Sequence, residues 1–139
     1  MKKILLIAGL ICSGITADAQ AGSWKIKLNN KTILSTRTED EKANCKKIKL
    51  VEWNKPGTLS ISFKEDEPGM WIRAFLFYDK EDNELLRKDS TTQLVIAFSE
   101  LKKLFKDKKE IIIYTVIAPT DPRMAIRVRR VHLCTLKLP

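Results

Sequence analysis

From Trp24 onward, apolar and polar side chains alternate almost one for one, and no other rhythm in the chain competes with it for long. Trp24, Ile26 and Leu28 alternate with Lys25 and Lys27, and Leu59, Ile61 and Phe63 alternate with Ser60 and Ser62. Successive side chains of a strand point to opposite faces, so each stretch predicts a strand with one buried and one wet face. Thr32 to Thr36, Lys46 to Trp53, Leu85 to Lys88 and Gln93 to Phe98 read the same way. Two stretches, Met70 to Tyr78 and Ile111 to Ala118, are apolar on both phases. They predict central strands covered on both sides.

Turn chemistry separates these runs. Asn29-Asn30 tolerates the positive φ of a tight hairpin. In Asn54-Lys55-Pro56-Gly57, Pro fixes φ and Gly is expected to supply a reversed backbone. Glu65 to Gly69 and Lys80 to Asn83 read as further turns, with Asn83 in the left-handed conformation. One helix is expected near residues 99–107. Ser99 is placed to cap it, and Leu101, Leu104 and Phe105 share its buried face. The last stretch, Met124 to Leu138, is long for one strand, and its phase slips between Val128 and Val131. A bulge at Arg129-Arg130 is expected to reconcile the two halves.

Nine short strands with one small helix predict an all-β fold, an antiparallel two-sheet sandwich, with a small barrel as the competitor. A helix crossing between sheets beside a central aromatic strand resembles the immunoglobulin-like architecture. The resemblance is one of architecture: Trp71 is present, but Cys45 and Cys134 do not give that family's Cys-Trp-Cys spacing.

The N-terminus is of another kind. Lys2 and Lys3 precede the apolar run Ile4 to Ile11, and Ala17-Asp18-Ala19 gives a small-x-small cleavage pattern. This is the layout of a secretory signal peptide over residues 1–19, too short for a membrane span. Residues 20–139 are then expected to form a single domain beyond the inner membrane, periplasmic or secreted, with no transmembrane segment. Cys12 falls in the signal, where the preceding Ile11 disfavours lipid attachment. Cys45 and Cys134 are left as an even pair in an oxidising compartment, candidates for a disulfide or for two separate thiols.

The formal net charge of the whole chain is +9, and it is unevenly spread. Residues 64–89 are net acidic, whereas residues 123–139 carry Arg123, Arg127, Arg129, Arg130 and Lys137 with no acid. Arg123, Arg127, Arg129, Arg130 and the single histidine, His132, are the candidate binding residues, since guanidinium forks suit carboxylate, sulfate or phosphate. The competing expectation pairs these arginines with the acidic segment across strands.

Catalytic and metal motifs give little. One histidine without a Cys-x-x-Cys or His-x-x-x-His pattern predicts no metal site. No Gly-x-Ser-x-Gly turn supports a nucleophile elbow, and the scattered glycines exclude the common phosphate loops, so no cofactor is expected. Asp79 to Asn83 begins like a calcium loop, but Glu84 and Ser90 occupy the positions that need Gly and Glu. No aromatic interleaving points to nucleic acid. The leading expectation is a non-catalytic domain of a Gram-negative cell envelope that binds a macromolecular partner. A binder of anionic glycan or lipopolysaccharide through the basic C-terminal strand is the alternative, and a hydrolase with an unrecognised site is the second.

Overall fold

The computed structural model describes residues 22–124 and 128–139. The expected signal peptide therefore lies outside the described residues, as does Arg127. The rest is an all-β sandwich of two sheets. The four-stranded sheet holds β1 (Gly22–Leu28), β2 (Lys31–Thr36), β4 (Thr58–Glu65) and β7 (Gln93–Ala97), in the order β2-β1-β4-β7. The five-stranded sheet holds β3 (Cys45–Lys47), β5 (Trp71–Tyr78), β6 (Glu84–Lys88), β8 (Glu110–Pro119) and β9 (Val131–Lys137), in the order β3-β9-β8-β5-β6. Helix α2 (Phe98–Leu104) carries the chain from β7 in one sheet to β8 in the other. The strand order follows the immunoglobulin arrangement in its centre. β1, β4 and β7 take the A-B-E places, and β9, β8 and β5 the G-F-C places. β4 and β8, which that family joins by a disulfide, contain no cysteine.

The alternation becomes the core directly. Trp24, Ile26, Leu59, Ile61, Phe63, Phe75, Phe77, Ile111, Ile113 and Leu136 turn inward into one cluster. Each fully buried side chain of this size contributes about 1.5–3 kcal/mol relative to exposure. Asn29 and Asn30 adopt φ of 49° and 66°, the hairpin conformation their side chains tolerate.

Several expectations need correction. The run Lys46 to Trp53 is not one strand. β3 ends at Lys47, Ile48 is buried, and Leu50–Trp53 wind into a helical turn, α1. That turn swings Trp53 onto Phe98, 5.4 Å between ring centroids, a contact a continued strand would miss. β3 also pairs with β9 in parallel, the one exception to the antiparallel pattern among the described residues. The crossing helix begins at Phe98, so Ser99 lies inside it and makes no cap. Gly57 does not reverse the backbone. It is needed for space, since a Cβ there would lie 2.3 Å from Asn29 Oδ1 and 2.7 Å from Phe98 Cε2. In the β5–β6 turn the left-handed residue is Asp82, not Asn83. The Asn83 N–H donates to Asp79 Oδ1 at 2.9 Å, and its side-chain amide donates to Oδ2. That backbone bond, with the Lys108 ammonium 2.9 Å away, holds the Asp79 carboxyl down at about 2. Of the strand expected from Met124 to Leu138, the described residues pair only from Val131 to Lys137, and the bulge sits at Leu133 rather than at Arg129-Arg130. Leu133 is skipped in the pairing, so it and Cys134 both pack inward.

One element of the core is charged. Arg73 on β5 is buried between the sheets. Its Nε donates to Glu65 Oε1 at 2.5 Å, its Nη2 to Glu65 Oε2 at 2.9 Å, and its Nη1 to Thr115 Oγ1 at 3.0 Å. Its guanidinium lies 3.5 Å over the Phe63 ring, which stacks in turn on Trp24. The Trp24 indole N–H donates to the Leu133 carbonyl, 3.1 Å away in the opposite sheet. Removing one partner of such a pair leaves an uncompensated buried charge, whereas removing both does not. In denaturant unfolding, Glu65→Gln is expected to lose about 3–5 kcal/mol. The double variant Glu65→Leu with Arg73→Met should recover most of that loss. A Glu65→Gln variant with wild-type stability would show that the pair does not lock the sheets.

Candidate functional site

Arg130 and His132 lie against Tyr78 and Tyr114 on the outer face of the five-stranded sheet, but the described C-terminal arginines do not form one anion site. Arg123 is turned back to Asp121 at 3.2 Å within its own turn. Arg129 reaches Glu39 at 2.8 Å, on the loop that enters β3. Arg130 pairs with Asp82 at 2.7 Å, on the β5–β6 turn. Each described guanidinium is thus turned to its own carboxylate, and only Asp82 comes from the acidic segment expected to pair with them.

Arg130 has a second role. Its guanidinium carbon stands 4.8 Å from the Tyr78 ring centroid and 4.3 Å from that of Tyr114. The two rings meet edge to face at 5.3 Å. A cation over two partly desolvated ring faces is held by their quadrupoles as well as by Asp82. The contact pins the approach to β9 against the outer face of β5 and β8. Tyr78 and Tyr114 were hidden in the sequence because both lie in runs apolar on both phases. Only the pairing register brings them to one face.

His132 is not at the surface. It is 2% exposed, beneath the loop of residues 37–44. Its backbone N–H donates to Glu39 Oε2 at 2.6 Å, and its Nε2 lies 2.8 Å from Thr135 Oγ1. Tyr114 packs edge-on against the ring. Nδ1 has no hydrogen-bond partner. Thr135 and His132 have the spacing of a hydroxyl and its base. A triad would need an orienting acceptor at Nδ1, and Glu39 is engaged with the backbone N–H instead. Burial lowers the His132 pKa from its ordinary value, against the opposing fields of Glu41, Glu39 and Asp40.

Cys45 and Cys134 are both free thiols. The register sets Cys45 beside Thr135, the residue that follows Cys134. Burial pushes the Cys134 thiol up to about 12, with the neighbouring Cys45 adding to it. Among the described residues no group of His, Cys, Asp and Glu is arranged to hold a metal ion.

Farther along the same face the cover ends. Ala74 and Leu76 are buried, but Ile72 at 42% and Val128 at 53% are exposed, which corrects the expectation that β5 is covered on both sides throughout. With Val116 and Ala118 they line a shallow groove of about 260 Å³, rimmed by Arg87 and Asp89. Met70 and Met124 are exposed at the adjoining turns. The sequence signal for this groove was present but ambiguous. A strand apolar on both phases is the same string whether its outer face is covered by the chain itself or by another molecule.

Comparison with known proteins returns nothing: no family model, no curated protein and no solved structure matches this chain.

Two measurements follow from these environments. The unfolded chain takes up a proton at His132 near the ordinary value of 6.5, while the folded chain keeps it neutral to lower pH. Folding stability is therefore expected to fall as pH drops below about 6.5. A His132→Gln variant should lack that component, and parallel melting curves for the two proteins would contradict the assignment. In native protein at pH 8, iodoacetamide should modify Cys45 and spare Cys134, with both modified after denaturation; mass spectrometry of tryptic peptides reads the result.

Proposed function

We propose that this protein is a binding module of a Gram-negative cell envelope, exported by its first nineteen residues. It docks a protein partner on the outer face of its five-stranded sheet and has no catalytic role of its own. The observation that carries the reading is the groove of Ile72, Val116, Ala118 and Val128. Contiguous exposed apolar side chains rimmed by polar residues mark protein interaction sites, and Ile72, Val116, Ala118 and Val128 line one such depression on a sheet face. The groove offers apolar anchoring at its centre and one residue of each sign at its rim, Arg87 and Asp89. Its floor is set by the pairing of Ile72 with Ala118 and of Ala74 with Val116. A partner therefore meets a preorganised surface and loses little entropy in ordering it. The fitting occupant is an extended apolar segment of a larger envelope protein, laid along β5 and β8.

A photo-crosslinking residue placed at Ile72 in living cells should capture one partner, identified by mass spectrometry. Reciprocal pull-down by that partner should fall about tenfold or more in an Ile72→Asp, Val128→Asp double variant, as expected for a charge buried unpaired at an interface. It should be unchanged by Leu50→Asp with Val51→Asp, which alters exposed apolar residues on α1 instead. Crosslinking at Ile72 no stronger than at Val51 would end the proposal.

A further inference from the structure

The outer face of the other sheet is built differently. The alternation that sends Trp24, Ile26, Ile61 and Phe63 inward sends Lys25, Lys27, Ser60, Ser62 and Lys64 outward. The register sets Lys25 between Ser35 and Ser62, with Gln93 beyond. It sets Lys27 between Thr32 and Ser60, with Val95 beyond, and Lys64 beside Ser23. Inter-strand spacing is about 4.8 Å, and alternate residues along a strand are about 6.8 Å apart. The three ammonium groups therefore stand within one short span of a flat surface, interleaved with hydroxyls and an amide. No acidic residue points out from these strands: Glu65, the one acid on them, turns inward to Arg73. None of the three lysines has an ion-pair partner among the described residues. Of the basic residues on the five-stranded side, Arg87, Arg123, Arg129 and Arg130 each hold a carboxylate, while Lys47 and Lys137 stand side by side with Glu110 opposite Lys137 in the register. A shallow depression of about 240 Å³ runs between Lys25, Lys27, Ser60, Ser62 and Gln93.

We infer that this face is a binding platform for an acidic polysaccharide, a site separate from the partner groove and independent of it. Unpaired ammonium groups supply the field for carboxylate or sulfate groups spaced along a chain. Serine, threonine and glutamine side chains supply donors and acceptors for sugar hydroxyls. The composition argues against the other polyanions and against a protein. Protein interfaces are depleted in lysine and serine at their centres. Single-stranded nucleic acid needs exposed aromatic rings to stack on, and this face has none. A membrane surface would call for several large apolar side chains to insert beside the lysines, and Val95 is the only exposed one here.

The test is affinity of the purified protein for polygalacturonate of defined length, measured by calorimetry at low and physiological salt. Neutral dextran, anionic phosphatidylglycerol vesicles and single-stranded DNA form the comparison arms. Binding to polygalacturonate is expected to be the tightest of the four and to weaken with salt, as for exposed charges. The triple variant Lys25→Gln, Lys27→Gln, Lys64→Gln should bind about tenfold or more weakly, and a matched variant, Lys103→Gln, Lys106→Gln, Lys109→Gln, should bind within about twofold of wild type. All substituted positions are exposed or half-exposed, and melting temperatures verify that both variants fold. Equal losses in the two variants would mean that net charge alone binds the polymer and would overturn the platform. So would no loss in the first variant, or tighter binding to vesicles or DNA.

Discussion

The contact on which the sandwich depends is the buried ion pair between Glu65 and Arg73. Two sheets that meet only through apolar side chains can slide, because hydrophobic contact has no direction. A guanidinium with five fixed donors cannot be left behind in that way. Arg73 on β5 must find Glu65 on β4 and Thr115 on β8, so it ties the central strands of both sheets at one level. The stack continues through Phe63 to Trp24, and the indole N–H closes it on the Leu133 carbonyl. That last bond coincides with the bulge in β9. The extra residue there gives the indole its acceptor and lets Leu133 and Cys134 both reach the core. Desolvating two charges offsets much of their attraction, so the pair adds more to uniqueness of register than to net stability.

Much of this fold could be read from alternation alone, and the failures share one cause. Seven strands and the crossing helix lie close to where period and turn residues place them. Lys46 to Trp53 fails because alternation describes a strand's faces but not its neighbours: β3 pairs only with the end of β9, and the chain then turns to set Trp53 against Phe98. The C-terminal stretch fails for a related reason. Its phase slip points to a bulge at Arg129-Arg130, whereas residues 128–130 lie outside any strand and the bulge sits at Leu133, whose carbonyl accepts from Trp24, more than a hundred positions away. The candidate site was legible as a set of residue types and not as an arrangement. Nothing local says that Arg129 will meet Glu39, that Arg130 will stand on Tyr78 and Tyr114, or that the loop of residues 37–44 will bury His132.

Placement of charge follows from the same geometry. A strand in a sandwich has one face committed to the core, so whatever alternates with the core residues is written onto one of two outer faces. On β1 and β4 the alternating residues are lysine and serine, and the result is a flat cationic surface without carboxylates. On β5 and β8 the alternating residues are themselves apolar. Arg130 lies over Tyr78 and Tyr114 there, while Ile72 on β5 and Val128 on the approach to β9 stay exposed. Among the described residues, Arg123, Arg129 and Arg130 of the C-terminal stretch pair with Asp121, Glu39 and Asp82, while Lys25, Lys27 and Lys64 of β1 and β4 have no ion pair.

This separation bears on how one small domain could serve two kinds of contact. Apolar docking and electrostatic attraction interfere when they share a surface, because burying a lysine beside an apolar anchor carries a desolvation cost that the anchor must offset. Placing the two on opposite outer faces removes the conflict, since the core of the sandwich lies between them. Electrostatic attraction acts at range and falls with salt, whereas the apolar groove acts only at contact. A domain so divided can be held near an anionic matrix by one face while the other remains open to a protein. Rigidity of the Glu65–Arg73 lock keeps the two faces in fixed relation, so binding on one side does not require the other to rearrange.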